Sequence, residues 1–345
     1  MKFDRSVGNP PYQEYKENTS ARSIYPEFMK NAYQVSTSGI FVTPARFLSG
    51  CGNAGNIDRA WCREMLNSPH FRVCYHRESK VIFPNTDVMG GIVISEYNAC
   101  KNYAPIKEYI RSRELRGLLE KIRSDVSKGS MAEILVLQAK IRKEYMQEAG
   151  CKDGERRLLS NAFQKMPVFK DKCEKGDIGV YGIEQKSRVK KYIAKKYIDT
   201  DQPHAKTHRV LVASSNGSAV LGSGRATPVI SKPFCISPEE CYTSTYIGFW
   251  GQGVEEAEYI RTYLSGKFAR ACVGLKKITQ HNHKEVWEVV PKQDFSRSSD
   301  IEWGAGVEEV DRQLYQKYRL TEEEREYIEE NIVRWDEKKG SVEVQ

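Results

Sequence analysis

The feature that most constrains this chain stands near its start: Asn9-Pro10-Pro11-Tyr12, preceded by Phe3-Asp4 and Val7-Gly8. Two adjacent prolines fix two φ angles. Asn9 precedes a proline and is held extended. The tetrapeptide is a stiff bracket at the end of a strand, with an amide on one side and an aromatic ring on the other.

Around it, strand and helix alternate. Gly39-Ile40-Phe41-Val42 and Gly90-Gly91-Ile92-Val93-Ile94 read as buried strands. The stretches Tyr25 to Tyr33 and Arg59 to Leu66 read as helices between them, so residues 1–104 form an α/β region. Residues 105–150 change character and read as a helical connector or insertion. Ile106, Tyr109, Ile110, Leu115, Leu118, Leu119 and Ile122 recur at helical spacing there, and a second helical run is expected from Met131 to Tyr145. Residues 151–252 hold short strands, basic stretches and Gly/Ser turns. From 253 to the end helices dominate. Ala257, Ile260, Leu264, Phe268, Ala271 and Leu275 make one apolar stripe, and Thr321-Glu322-Glu323-Glu324 is a capping box opening a last helix.

The bracket suits one reaction. The exocyclic amino group of adenine is a poor nucleophile, because its lone pair is delocalised into the ring. The Asn9 side-chain oxygen and the Pro10 carbonyl can accept its two hydrogens and draw the nitrogen towards a tetrahedral shape. Tyr12 can stack on the base once it has left the duplex. Methyl transfer to that nitrogen then needs positioning more than acid–base power.

Phe3 to Tyr12 resembles the catalytic motif of the amino-group DNA methyltransferases, and Asn-Pro-Pro-Tyr resembles its adenine-modifying form, as found in restriction–modification systems. Ile24-Tyr25-Pro26-Glu27-Phe28 resembles the helix that follows the motif. The run from Gly39 to Leu48 resembles the next strand and turn. Phe83-Pro84-Asn85-Thr86-Asp87-Val88 with Gly90-Gly91 resembles a later strand near the target base. Stretches from Arg209-Val210-Leu211-Val212 to Leu314-Tyr315-Gln316-Lys317-Tyr318 resemble the target-recognition region.

The resemblance implies a C-terminal half of a Rossmann-like methyltransferase domain, followed by an α+β target-recognition domain over residues 151–345. It implies catalytic roles for Asn9, Pro10, Pro11 and Tyr12, S-adenosylmethionine as methyl donor, and double-stranded DNA as substrate. In that family the cofactor site lies upstream of the tetrapeptide. The expectation is therefore an incomplete enzyme, whose cofactor site is completed by a cofactor domain or restriction subunit. Arg5 and Ser6 also stand where the family has apolar residues. A DNA-binding specificity subunit without chemistry, or a gene fragment, are the alternatives.

Three other patterns carry weaker signals. Phe249-Trp250-Gly251-Gln252-Gly253 follows a strand-like run and precedes a helix, as a permuted cofactor turn would; a lone Gly-x-Gly is a common loop. Asp177 with Glu184-Gln185-Lys186 matches the sparse acidic-plus-Lys pattern of metal-dependent nucleases. Cys235, Cys241, His281 and His283 have zinc-ligand chemistry, but their spacing fits no zinc template, and no metal is expected.

Lys186, Arg188, Lys190, Lys191, Lys195 and Lys196 cluster, with Tyr192 and Tyr197 interleaved, and read as a DNA-binding patch. The net charge of +8 favours a polyanionic partner. No apolar run is long enough to cross a bilayer and no signal-peptide core follows Met1, so the expectation is a cytoplasmic protein with no membrane partner. The nine cysteines contain no CxxC pair and read as reduced thiols.

Overall fold

The computed structural model describes residues 3–14, 22–49, 57–85, 88, 90–151, 154–216, 221–222, 225–277 and 281–335. The protein is mixed α/β. It divides into two compact units: residues 1–116 with 219–226 and 274–279, and residues 117–218 with 227–273 and 280–345. The expected connector at 105–150 is thus shared between them, changing over after Arg116.

The first unit opens with β1 (Phe3–Gly8) and a small hairpin of β2 (Gln13–Glu14) and β3 (Arg22–Ser23). α1 (Tyr25–Val35), β4 (Ser36–Pro44), α2 (Arg59–Asn67), β5 (Phe71–Arg77), the single turn α3 (Ser79–Ile82) and β6 (Ile92–Asn98) follow. The sheet order is β1-β4-β6-β5. β1 and β4 run parallel, and β6 is antiparallel to both β4 and β5. α1 carries proline in its first turn, where the missing N–H costs nothing. The Asp58 side chain caps α2 by accepting the Ala60 N–H at 2.9 Å. Tyr25 and Met29 of α1 and Trp61, Met65 and Leu66 of α2 pack with Phe41, Phe47, Phe71 and Val93 into one core. Each is almost fully buried and contributes roughly 1.5–3 kcal/mol by leaving water.

α4 (Arg113–Lys128) starts only after Ser112, whose hydroxyl accepts the Leu115 N–H. Residues 106–110, expected to be helical, are irregular, and Lys107 sits at φ +59°. The helix expected from Met131 to Tyr145 is absent too. The Ser130–Glu133 capping box opens a single 3-10 turn, Met131–Ile134. The chain then extends into β7 (Leu135–Val136), which pairs with the sheet below, and the Val136 carbonyl accepts the Tyr242 hydroxyl at 2.8 Å. Tertiary pairing outweighs helical propensity here.

The second unit continues with the turn α5 (Ala162–Lys165), β8 (Asp177–Glu184), β9 (Ser187–Ala194), β10 (His208–Ala213), β11 (Phe234–Ile236), β12 (Glu240–Tyr242) and β13 (Tyr246–Gly251). One sheet runs β11-β10-β13-β7, the other β12-β8-β9. Four helices and one short turn follow: α6 (Val254–Ser265), α7 (Lys267–Lys276), the turn α8 (Lys284–Trp287), α9 (Val307–Lys317) and α10 (Glu322–Asn331). Ala257, Ile260 and Leu264 of α6 and Phe268 and Ala271 of α7 are almost fully buried. The apolar stripe thus spans two helices that part at Gly266. The Thr321 capping box opens α10 as the sequence indicates.

Candidate active site

Val7 lies opposite Ile40 and Gly8 opposite Phe41, in parallel register. The C-terminal ends of β1 and β4 therefore share one edge of the sheet, where open parallel sheets bind ligands. Asn9–Tyr12 follows β1 at that edge. Asn9 and Pro11 are exposed, Pro10 is buried and Tyr12 is half-buried. The Asn9 side chain makes no hydrogen bond among the described residues. Its amide is free to bind a ligand while Pro10 anchors the backbone. The Tyr12 carbonyl accepts the Ile24 N–H at 3.2 Å, and β2 pairs with β3, which ties the bracket to the start of α1. The Tyr12 hydroxyl is screened from solvent without a partner, and burial raises its pKa.

The same edge continues through β4 and β6. Pro44 lies opposite Ile92, and the Ala45 N–H donates to the Gly91 carbonyl at 3.0 Å. The turn before β6 is held by its own contacts. His76 Nε2 lies 2.8 Å from the Gly90 carbonyl, and the Ser79 hydroxyl accepts the Val88 N–H at 2.8 Å. Gly91 sits at φ +82°, and a Cβ there would strike the Arg77 carbonyl. Thr86 and Asp87 of the Phe83–Gly91 stretch lie outside the described residues, as do Ile278, Thr279 and Gln280 of the recognition stretches. His76, with Tyr109 3.1 Å from its Nδ1, is the site element that sequence reasoning missed. Its only signal was a histidine inside an alternating strand, which is uninformative without the fold.

β1 pairs only with β4 among the described residues, and its Phe3 and Val7 are 61% and 76% exposed. That position accounts for the polar residues in the strand. Arg5 is exposed, and the Ser6 hydroxyl is 2.9 Å from that of Ser36.

The basic cluster lies on the β8–β9 hairpin and the turn that follows it. Lys186 sits in the β8–β9 turn at φ +66°, and Arg188, Lys190 and Lys191 are on β9. Alternation puts Arg188 and Lys190 on one face of the strand and Lys191 on the other. Four of the six cations already face carboxylates: Lys190 pairs with Glu240, Lys191 with Glu184 at 2.7 Å, Lys195 with Glu239 at 3.6 Å and Lys196 with Glu148 at 2.9 Å. Lys186 and Arg188 are exposed and have no carboxylate partner among the described residues.

The nuclease pattern comes apart. Asp177 and Glu184 are the two ends of β8, about 23 Å apart along an extended strand. Each is neutralised by its own lysine, Lys170 at 3.2 Å and Lys191 at 2.7 Å. They cannot share a metal ion. The Cys235 and Cys241 thiols are both pushed up to about 12 by burial, which keeps them protonated and poor ligands. No group of three or more His, Cys, Asp or Glu among the described residues is arranged to hold a metal.

The glycine turn after β13 does not fit S-adenosylmethionine. β13 lies between antiparallel neighbours β10 and β7. The Gln252 N–H is already taken by the Glu256 carboxylate at 2.6 Å. Glu255 and Glu256 give the first turn of α6 a negative charge. Gly251 serves packing: a Cβ there would sit 2.9 Å from the Ala257 backbone nitrogen. No helix among the described residues is long and apolar enough to cross a membrane.

Residues 1–83 match the family model of the Eco57I restriction-modification methylase. Among solved structures, the type IIG restriction endonuclease BpuSI is similar at 9% identity, with a TM-score of 0.34, over 91% of this chain and 50% of that one. The chain thus spans about half the length of that enzyme. No curated protein matches the chain in sequence.

Proposed function

We propose that this chain supplies the adenine-holding and DNA-reading portion of a restriction–modification DNA methyltransferase. The observation that carries the reading is the Asn9–Tyr12 bracket. It stands at the carboxyl end of a parallel strand pair, in the segment that matches a restriction-modification methylase family. In this reading Asn9 Oδ1 and the Pro10 carbonyl accept the two hydrogens of an extrahelical adenine amino group, and Tyr12 stacks on the ring. Pro11 keeps the bracket stiff. The fold in this reading is the C-terminal half of a Rossmann-like domain in residues 1–104, with target recognition in residues 151–345.

The glycine turn after β13 does not fit S-adenosylmethionine, with its Gln252 N–H taken by Glu256 and two carboxylates in the following helical turn. An edge strand presents unpaired N–H and C=O groups to which a further strand can add. The edge at β1, unpaired on its outer side among the described residues and with Phe3 and Val7 exposed, is where a cofactor-binding segment would add its strand. That segment is a partner subunit or a further stretch of chain. Of the basic cluster, Lys186 and Arg188 have no carboxylate partner among the described residues and meet DNA phosphates in this reading. The second reading is a specificity subunit that binds DNA without chemistry.

The test is to express the chain with and without a cofactor-binding partner in a host free of adenine methylation, and to sequence the host DNA for methylated adenine. Methylated adenine at one recurring site, dependent on this chain, supports the enzyme. Unmethylated DNA, together with specific duplex binding, establishes the specificity subunit.

A further inference from the structure

Within the second unit, a cleft of about 460 Å³ opens between the segment 135–140, the loop 198–206 and the turn 238–241. The adenine bracket has no part in it. Its walls are apolar where Leu137, Ile178, Ile198, Pro203 and Pro238 face it. Leu137 is 68% exposed at the rim of the cleft.

The charges are lopsided once ion pairs are cancelled. Asp199 is held by Arg156 at 2.7 Å, Glu240 by Lys190, and Glu239 by Lys195 at 3.6 Å. Lys140, Lys206 and Arg209 remain, and none has a carboxylate partner in an ion pair among the described residues. Arg209 is only 4% exposed. Its Nε donates to the Thr207 carbonyl at 3.2 Å, and its Nη2 to the carbonyls of Ser237 at 3.4 Å and Glu240 at 2.5 Å. Its Nη1 makes no hydrogen bond among the described residues. A buried guanidinium fixed by carbonyls keeps its positive charge and offers a directed donor to an anion. Gln138 and Gln202 add amide groups at the walls.

Apolar walls, amide groups and three cations without an ion pair among the described residues fit an anion with a flat, hydrogen-bonding body. We propose that this cleft binds a phosphorylated nucleoside, either free or as an unstacked nucleotide of a single strand. The phosphate meets Lys140, Lys206 and Arg209, and the base lies against Leu137 and the two prolines. A nucleotide fits the volume, and its binding here does not depend on the role of Asn9.

The test is calorimetric titration of the full chain with AMP, adenosine and inorganic phosphate. The expected result is that AMP binds at least about tenfold more tightly than either fragment, because charge and apolar wall act together. The double variant Lys140→Ala/Lys206→Ala should lower AMP affinity at least about tenfold with an unchanged melting midpoint. Leu137→Glu, which sets a carboxylate at the exposed wall, should do the same. A short single-stranded oligonucleotide that displaces AMP identifies a strand as the source, and failure to displace it identifies the free nucleotide. No AMP binding at millimolar concentration, or binding that these variants leave unchanged, would overturn the proposal.

Discussion

His76 Nε2 lies 2.8 Å from the Gly90 carbonyl oxygen, which joins β5 to the glycine turn leading into β6. A carbonyl only accepts, so Nε2 carries the proton. Nδ1, 3.1 Å from the Tyr109 hydroxyl, is then free to accept from it in the neutral ring. The histidine thus holds the turn beside the candidate base site only while its tautomer is kept.

That arrangement sets a pH dependence. Burial, with Arg111 nearby, lowers the His76 pKa from the ordinary value of 6.5 to about 4. The unfolded chain binds this proton at a higher pH than the folded one. Stability contributed by neutral His76 is therefore complete above pH 6.5 and is lost as pH falls towards 4. The loss is on the order of 3 kcal/mol across that window. Denaturant midpoints between pH 7 and 4 should fall for the wild type and fall less for His76→Gln. Equal slopes for the two proteins would show that His76 does not set this dependence.

Asp311 of α9 caps α7. Its carboxylate accepts the Lys267 N–H at 2.7 Å and the Phe268 N–H at 3.0 Å. Asp311→Ala should destabilise the protein by about 1–3 kcal/mol, since two buried donors lose their acceptor. Gly266→Ala should be at least comparable, because its Cβ would sit 2.5 Å from Asp311 Oδ1. Guanidinium unfolding reads both. Unchanged midpoints would mean that the cap contributes little.

The ion pairs on β9 lead to a graded DNA-binding prediction. Lys186→Ala/Arg188→Ala should weaken duplex binding at every sequence. The pair should also make the salt slope shallower by about 0.9 for each DNA phosphate that is no longer neutralised. Lys190→Ala/Lys191→Ala should change the slope less, because those ammonium groups face Glu240 and Glu184. Binding titrations across salt concentrations measure both. If the second pair has the larger effect, the exposed turn does not touch the DNA.

Much of this was legible in the residues. The Asn-Pro-Pro-Tyr bracket ends a strand, α1 and α2 lie where their spacing put them, and Thr321 caps α10. Elements decided by distant partners were not. Residues 131–145 read as helix by composition, yet Leu135–Val136 extend to pair with Gly248 and Phe249. The basic cluster read as one DNA-binding patch, but Gln185 and Lys186 at positive φ fold it into a hairpin that divides its cations between two faces. Its counterions come from Glu148, Glu239 and Glu240, which no local pattern reveals. The apolar run from Ala257 to Leu275 gave its buried face and hid the break at Gly266, because Gly266 lies between two of its apolar positions.

The central claim is that Asn9 holds the amino group of a target adenine. Asn9 is exposed at the end of β1, so its removal should leave the fold and the DNA-reading surface intact. The measurement is methyl incorporation from labelled cofactor, by the chain completed with a cofactor-binding partner, beside a gel shift on the same samples. Tyr12→Ala should cost less transfer than Asn9→Ala, since stacking is worth about 1–3 kcal/mol. Tyr12→Phe should cost less still, because the ring is kept. The predicted result is that Asn9→Ala abolishes transfer while duplex affinity stays within about twofold of wild type. Wild-type transfer by Asn9→Ala would contradict the claim.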